Sequence, residues 1–124
     1  RSINTLASTI EEGSGIIVEK KLLDPGTFKI SDQVKLTIYR ILQEQMNNIL
    51  KYAKASKVQL KIEQVADRIL LQITDNGIGF DVTQKTGGVG LLNIRTRASL
   101  VNGAVTIKSA PGKGCQLNVI FHSL

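Results

Sequence analysis

The chain has 124 residues, enough for one domain and too few for two ordinary ones, and its 42% hydrophobic and 21% charged content is that of a globular protein with a core. No apolar run approaches the roughly 20 residues of a membrane span, and no signal-peptide layout opens the sequence. A single cysteine, Cys115, excludes an internal disulfide and a thiolate zinc site, and a single histidine, His122, leaves little for imidazole-based metal or triad chemistry. The net charge of +6 suits an anionic partner. The basic residues are spread along the chain, however, and aromatics make up only 4% with no Trp, so a stacking platform for nucleic acid is poorly supplied. An anionic small ligand, such as a nucleotide, fits the charge equally well, and charge alone does not decide between them. The cysteine usage points to the reducing cytoplasm.

Ile3, Leu6 and Ile10 stand at spacings of three and four, predicting a short amphipathic leading helix over residues 1–13 that Gly13 and Gly15 end. The chain opens within this helix on Arg1, without a start methionine, as a fragment of a longer protein would. Residues 16–23 read as a strand, followed by the turn signal Asp24-Pro25-Gly26. Ser31 or Asp32 can cap a long helix reaching about Ala53, with Leu36, Ile38, Ile41, Leu42, Met46 and Ile49 as its apolar stripe. Residues 57–64 and 68–75 form a hairpin through Ala66-Asp67. A helix over about 90–102, stopped by Asn102-Gly103, and strands 104–109 and 115–121 around Pro111-Gly112-Lys113-Gly114 complete the chain. This order predicts an α+β fold: a two-layer sandwich with a mixed, mostly antiparallel sheet and helices on one face.

Three groups of residues carry chemistry. On the long helix, Glu44 and Asn48 lie one turn apart on one face, with Arg40 and Lys51 at −4 and +7 from Glu44. A solvated helix face would also look like this, but Asn47-Asn48 in mid-helix is unusual because Asn competes for backbone bonds. The second group, Asp75-Asn76-Gly77-Ile78-Gly79-Phe80, comes directly after a strand. It reads either as a tight turn or as a place where glycines let the backbone approach a ligand and a carboxylate accepts from an amine. The third, Gly87-Gly88-Val89-Gly90-Leu91, leads into a helix, as a plain entry loop or as a phosphate cradle at the helix's free N–H groups. There is no GxxxxGK[ST] and no GxGxxG after a first strand, so neither a P-loop nor a dinucleotide fold is indicated. The signature set of eukaryotic-type protein kinases is missing as well.

Taken in order, EQMNNILKYAKAS, DNGIGF, GGVGLLNIRTRA and SAPGKGCQLNV resemble the catalytic ATP-binding domain of bacterial sensor histidine kinases. The likeness is to the short-lid subfamily of this Bergerat fold and covers roughly residues 14–122, so that residues 1–124 form a single kinase-like ATP-binding domain. The resemblance implies ATP and Mg2+ as cofactors. Asn48 would ligate the metal bridging the phosphates, and Glu44 would serve as the catalytic carboxylate, orienting a water or acting as base. Lys51 and Tyr52 match basic and imidazole positions near the phosphates, Tyr52 replacing a common His. Asp75 would accept from the adenine amine, with Gly77 and Gly79 allowing close approach. Gly88, Val89, Gly90 and Leu91 match the nucleotide-binding glycine box, under a mobile lid at 81–89.

Cys115 stands where relatives commonly carry a Thr whose hydroxyl supports the adenine-binding carboxylate; buried packing of the thiol is the plain alternative. The resemblance further implies a histidine-bearing helical dimerisation domain of the same kinase and a downstream response regulator as partners. It implies a monomer for the isolated domain, and a cytoplasmic location whether or not the parent kinase is anchored in a membrane. His122 does not have the setting of a phospho-accepting histidine. An anti-sigma-type serine kinase and a non-catalytic nucleotide-sensing module share the fold and stand as alternatives.

Overall fold

A computed structural model describes residues 3–22, 30–81 and 88–123. Helix α1 (Ile3–Ser14) and strand β1 (Ile17–Leu22) open the chain, and α2 (Asp32–Asn48) continues into a π turn (Ile49–Ala53). Strands β2 (Lys57–Val65) and β3 (Arg68–Asp75) form the expected hairpin. Helix α3 (Gly88–Ser99) and the hairpin of β4 (Ala104–Ser109) and β5 (Cys115–His122) complete the order.

The five strands make one sheet in the order β1-β2-β3-β5-β4, with β1 parallel to β2 and every other pair antiparallel. Helix α2 is therefore the crossover of a parallel pair. The last hairpin folds back so that β5, not β4, lies beside β3. Alternation along the strands sends Leu60, Ile62, Ile69, Leu71, Ile73, Leu117, Val119 and Phe121 to one face, where all are buried. There they meet Ala7 of α1, Ile38, Ile41, Leu42 and Met46 of α2, and Ile94 and Ala98 of α3 in one core. The opposite face carries Gln72, Thr74, Gln116 and Asn118, which are half-buried, and Gln59, which is exposed. The two-layer α+β sandwich expected from the element order is the observed fold. Among the described residues no helix is long and apolar enough to cross a membrane.

Four local features bear on the sequence reading. Leu36 is half-exposed while Val34 is buried, because position 36 falls about 200° around the helix from Val34, off the line through Ile38 and Ile41. Helix α3 begins at Gly88 rather than Gly90: first-turn N–H groups lack an intrahelical partner in any case, so the glycines there do not prevent the turn from forming. Its end is the predicted Asn102-Gly103 stop, a Schellman arrangement in which Asn102 (φ 59°) is left-handed. The Gly103 N–H donates to the Ala98 carbonyl (2.8 Å) and the Asn102 N–H to that of Ser99 (3.2 Å). At the start of α2, Ser31 is the cap, its Oγ accepting from the Val34 N–H at 3.1 Å.

Phe121 is fully buried on the inner face. Phe121→Ala should therefore cost about 3–5 kcal/mol in urea unfolding, whereas Thr106→Ala on the opposite face should stay within about 0.5 kcal/mol. Equal costs at the two positions would contradict the assignment of the faces.

Candidate functional site

Register places Val58, Asp75, Cys115 and Ser109 in one row across the sheet. Asp75 ends β3 at 5% exposure, one of two polar side chains assigned to the interior among the described residues. Its Oδ1 accepts from the Gly77 N–H at 2.8 Å, an Asx turn, and the backbone N–H of Cys115 on the neighbouring strand also favours its charged form. Burial raises the Asp75 carboxyl above its ordinary value of 3.8, and these two backbone donors offset part of the rise. Burial likewise pushes the Cys115 thiol up to about 11, with the negative charge of Asp75 adding to the effect. The Cys115 backbone thus offsets part of the rise at Asp75, and the neighbouring Ser109 hydroxyl part of the rise at the thiol.

The glycines after Asp75 are required by the protein's own packing. A Cβ on Gly77 would run into the Ala53 carbonyl oxygen, and the Ile78 N–H donates to that same oxygen at 2.8 Å. Gly79 is left-handed (φ 63°), and a Cβ there would meet the Ala110 carbonyl. Ser109, which the sequence did not single out, closes this corner: its Oγ donates to the Gly114 carbonyl at 2.6 Å and accepts from the Phe80 N–H at 3.0 Å.

On α2, Glu44 and Asn48 are both half-buried, and Glu44 faces α3. Asn93 of α3 donates from Nδ2 to Glu44 Oε1 at 3.4 Å, and Asn48 Nδ2 donates to Oε1 of the buried Gln45, also at 3.4 Å. Neither Asn93 nor Gln45 was legible as a site residue, since each looks like an ordinary helix position. With its NH2 turned to Gln45, Asn48 leaves its carbonyl oxygen for a hard cation, the donor that Mg2+ prefers. No cluster of three or more His, Cys, Asp or Glu that could hold a metal occurs among the described residues, so a metal here would take most of its ligands from phosphate oxygens and water.

The π turn alters the helical spacing beyond Asn48, and Lys51 is rotated back from the Glu44 line. Lys51 and Arg40 are exposed, and Tyr52 is 69% exposed. Gly88, Val89 and Gly90 form the first turn of α3, and Leu91 packs against the core. The lid expected over 81–89 lies mostly outside the described residues.

Because the folded chain holds the Asp75 proton more tightly than the unfolded one, stability linked to this group falls as the pH rises from 3.8 through the raised folded value. Asp75→Asn lacks this component. The urea midpoint of the variant should climb relative to wild type as the pH rises through that window and then level off. A difference independent of pH would contradict burial as the dominant influence on Asp75.

The sequence matches the family described as histidine kinase-, DNA gyrase B- and HSP90-like ATPase over residues 33–123. It is 34% identical over 114 residues to the signal transduction histidine-protein kinase/phosphatase DegS of Brevibacillus brevis, covering 91% of this chain and 29% of that protein. The DegS of Bacillus subtilis is 33% identical over 90 residues, covering 69% of this chain and 23% of that protein. The chain thus spans less than a third of these curated relatives. The histidine kinase domain of the Erythrobacter litoralis EL346 blue-light activated histidine kinase superposes with a TM-score of 0.77. That superposition covers 97% of this chain and 58% of the other at 17% identity, a likeness of fold. The family match over residues 33–123 and the identity to DegS across nine-tenths of the sequence agree, and the chain belongs to the histidine kinase-, DNA gyrase B- and HSP90-like ATPase family.

Proposed function

We propose that this chain is the catalytic ATP-binding domain of a sensor histidine kinase, transferring the γ-phosphoryl group of ATP to a histidine on a separate helical dimerisation domain of the same kinase. A response regulator would take the group from there, and the reaction belongs in the cytoplasm. The observation that carries this reading is the buried acceptor Asp75 at the end of β3, bonded through its own loop to the end of the helix that bears Glu44 and Asn48. Such a site offers an acceptor for a base at one end and an amide oxygen and a carboxylate at the other. The kinase names of the relatives add to this reading.

In this assignment Asp75 accepts from the six-amino group of adenine, and the first turn of α3, Gly88 to Leu91, lies against the phosphates. Asn48 would hold Mg2+ through its carbonyl oxygen. When bound, the ion would supply charge neutralisation at the phosphates, and the domain's own contribution would be positioning. Glu44, which Asn93 contacts, would accept or direct a proton at the attacking group. Lys51 and Tyr52, both exposed, would reach the phosphates only by side-chain movement, and Cys115 acts through its backbone N–H on Asp75.

Two measurements test the assignment. With a histidine-bearing helical domain supplied separately and labelled ATP, the wild-type domain should produce acid-labile phosphate. Glu44→Gln should lower transfer by at least about 10²-fold, while ATP affinity stays within about threefold. Acid-stable phosphoserine on a partner would favour the anti-sigma-type serine kinase, and nucleotide binding without transfer the sensing module. ATP should bind at least roughly tenfold tighter than GTP, whose carbonyl at the six position would face the Asp75 oxygens lone pair to lone pair. A ratio near one would remove Asp75 from the base site.

A further inference from the structure

The residue after the base-binding carboxylate makes more hydrogen bonds than any other side chain in the loop. Asn76 Oδ1 accepts from the N–H groups of both Ser56 (2.9 Å) and Lys57 (3.0 Å), and its Nδ2 donates to Ser56 Oγ at 2.9 Å. Its own backbone N–H donates to the Lys57 carbonyl at 3.2 Å. Two residues on, the Ile78 N–H is held by the Ala53 carbonyl, against which Gly77 also packs. One short loop is thus fastened to the end of the π turn and to the first residue of β2.

Between those two points the Ser56 carbonyl accepts from the Ile17 N–H at 3.0 Å and Ala55 packs against the core. Lys54 is left-handed (φ 51°), and only Lys54, Ala55 and Ser56 separate the π turn from β2. The body of α2 is held on the sheet by Ile38, Ile41, Leu42, Met46 and Ile49, and the loop after β3 is bonded on both sides of this connection, to Ala53 before it and to Ser56 and Lys57 at its far end. Asn76 is itself exposed, so its bonds compete with water and add modestly to global stability. Four bonds from one exposed residue make better sense as a fixed geometry than as a source of stability.

We propose that Asn76 is a positioning residue: its amide locks the base-binding loop, Asp75 to Gly79, to Ser56 and Lys57, just beyond the end of the helix carrying Asn48, so that with the Ile78–Ala53 bond the base site and the phosphate site keep a set separation. This rests on the nucleotide reading of the site. A ligand spanning two half-sites gains from their fixed spacing as a bivalent ligand does, and loses that gain when the spacing fluctuates. Adenosine, which occupies only the base end, is indifferent to the spacing.

The test compares adenosine and Mg-ATP affinities in the wild-type domain, Asn76→Ala and Asn76→Asp, with amide exchange at Ser56 and Lys57 read on the same samples. Asn76→Ala should weaken Mg-ATP by roughly tenfold or more and adenosine by less than about twofold, with faster exchange at Ser56 and Lys57. Asn76→Asp keeps the acceptor for both N–H groups, and the Ser56 hydroxyl can turn to donate, so it should recover Mg-ATP binding to within about threefold. Equal losses of both ligands in Asn76→Ala, or no loss with the amides still protected, would overturn the positioning role and leave the nucleotide site standing. A wild-type domain that binds neither ligand would overturn the nucleotide reading and this role with it.

Discussion

A carboxylate buried at the end of a central strand is the constraint around which this site is built. Asp75 is removed from water, so its ionised form depends on donors supplied by the protein. The Gly77 N–H of its own loop bonds it, and the backbone N–H of Cys115 on the neighbouring strand also favours the charged form. Cys115 is there only because β5 inserts between β3 and β4 and pairs Asp75 with Cys115. The Asp75 carboxyl nevertheless remains above its ordinary value, so burial outweighs both. A buried acceptor with unspent capacity is suited to a ligand that brings its own N–H donors.

The half of the site on α2 is built from polar contacts along and between helices. Glu44 and Asn48 each have a second residue directing them, Asn93 and Gln45, at the long end of hydrogen-bond distance. These contacts orient without immobilising, and they leave one oxygen of Glu44 and the carbonyl of Asn48 for other partners. The two halves meet where the loop after β3 is bonded to Ala53, Ser56 and Lys57. The Asp75 loop and the end of the Asn48 helix therefore belong to one bonded unit, although Asn48 and Asp75 lie on different elements.

Local pattern made most of the elements legible. Period-two alternation marked β2, β3 and β5, and Ser31 and Asn102-Gly103 marked helix ends through the bonds they make within a few residues. Legibility failed where the cause was remote or irregular. Leu36 looked like part of the stripe because it is apolar, and only its angle around α2 puts it in solvent. The π turn has no local sign in Ile49-Leu50-Lys51-Tyr52-Ala53, so the alignment of Lys51 with Glu44 was read from ideal spacing. Gly77 and Gly79 were marked as special correctly, but the sequence alone tied the need to a turn or a ligand. The neighbours that exclude a Cβ are the carbonyls of Ala53 and Ala110, more than twenty residues away in sequence.

The sequence by itself determined the elements, the α+β class and the residue types available for chemistry: an acid at a strand end with glycines after it, an acid and an amide one turn apart, and a glycine run before a helix. These arise from interactions within a turn or two of chain, which spacing encodes directly. Tertiary structure alone decided that β5 pairs with β3, that Asp75 and Cys115 lie side by side in one row, and that Asn93, Gln45, Ser109 and Asn76 hold the site's other parts. Each of those contacts joins groups on separate segments or depends on which face a helix buries. A side chain's own sequence neighbours do not specify the atom it will meet across a sheet or between two helices.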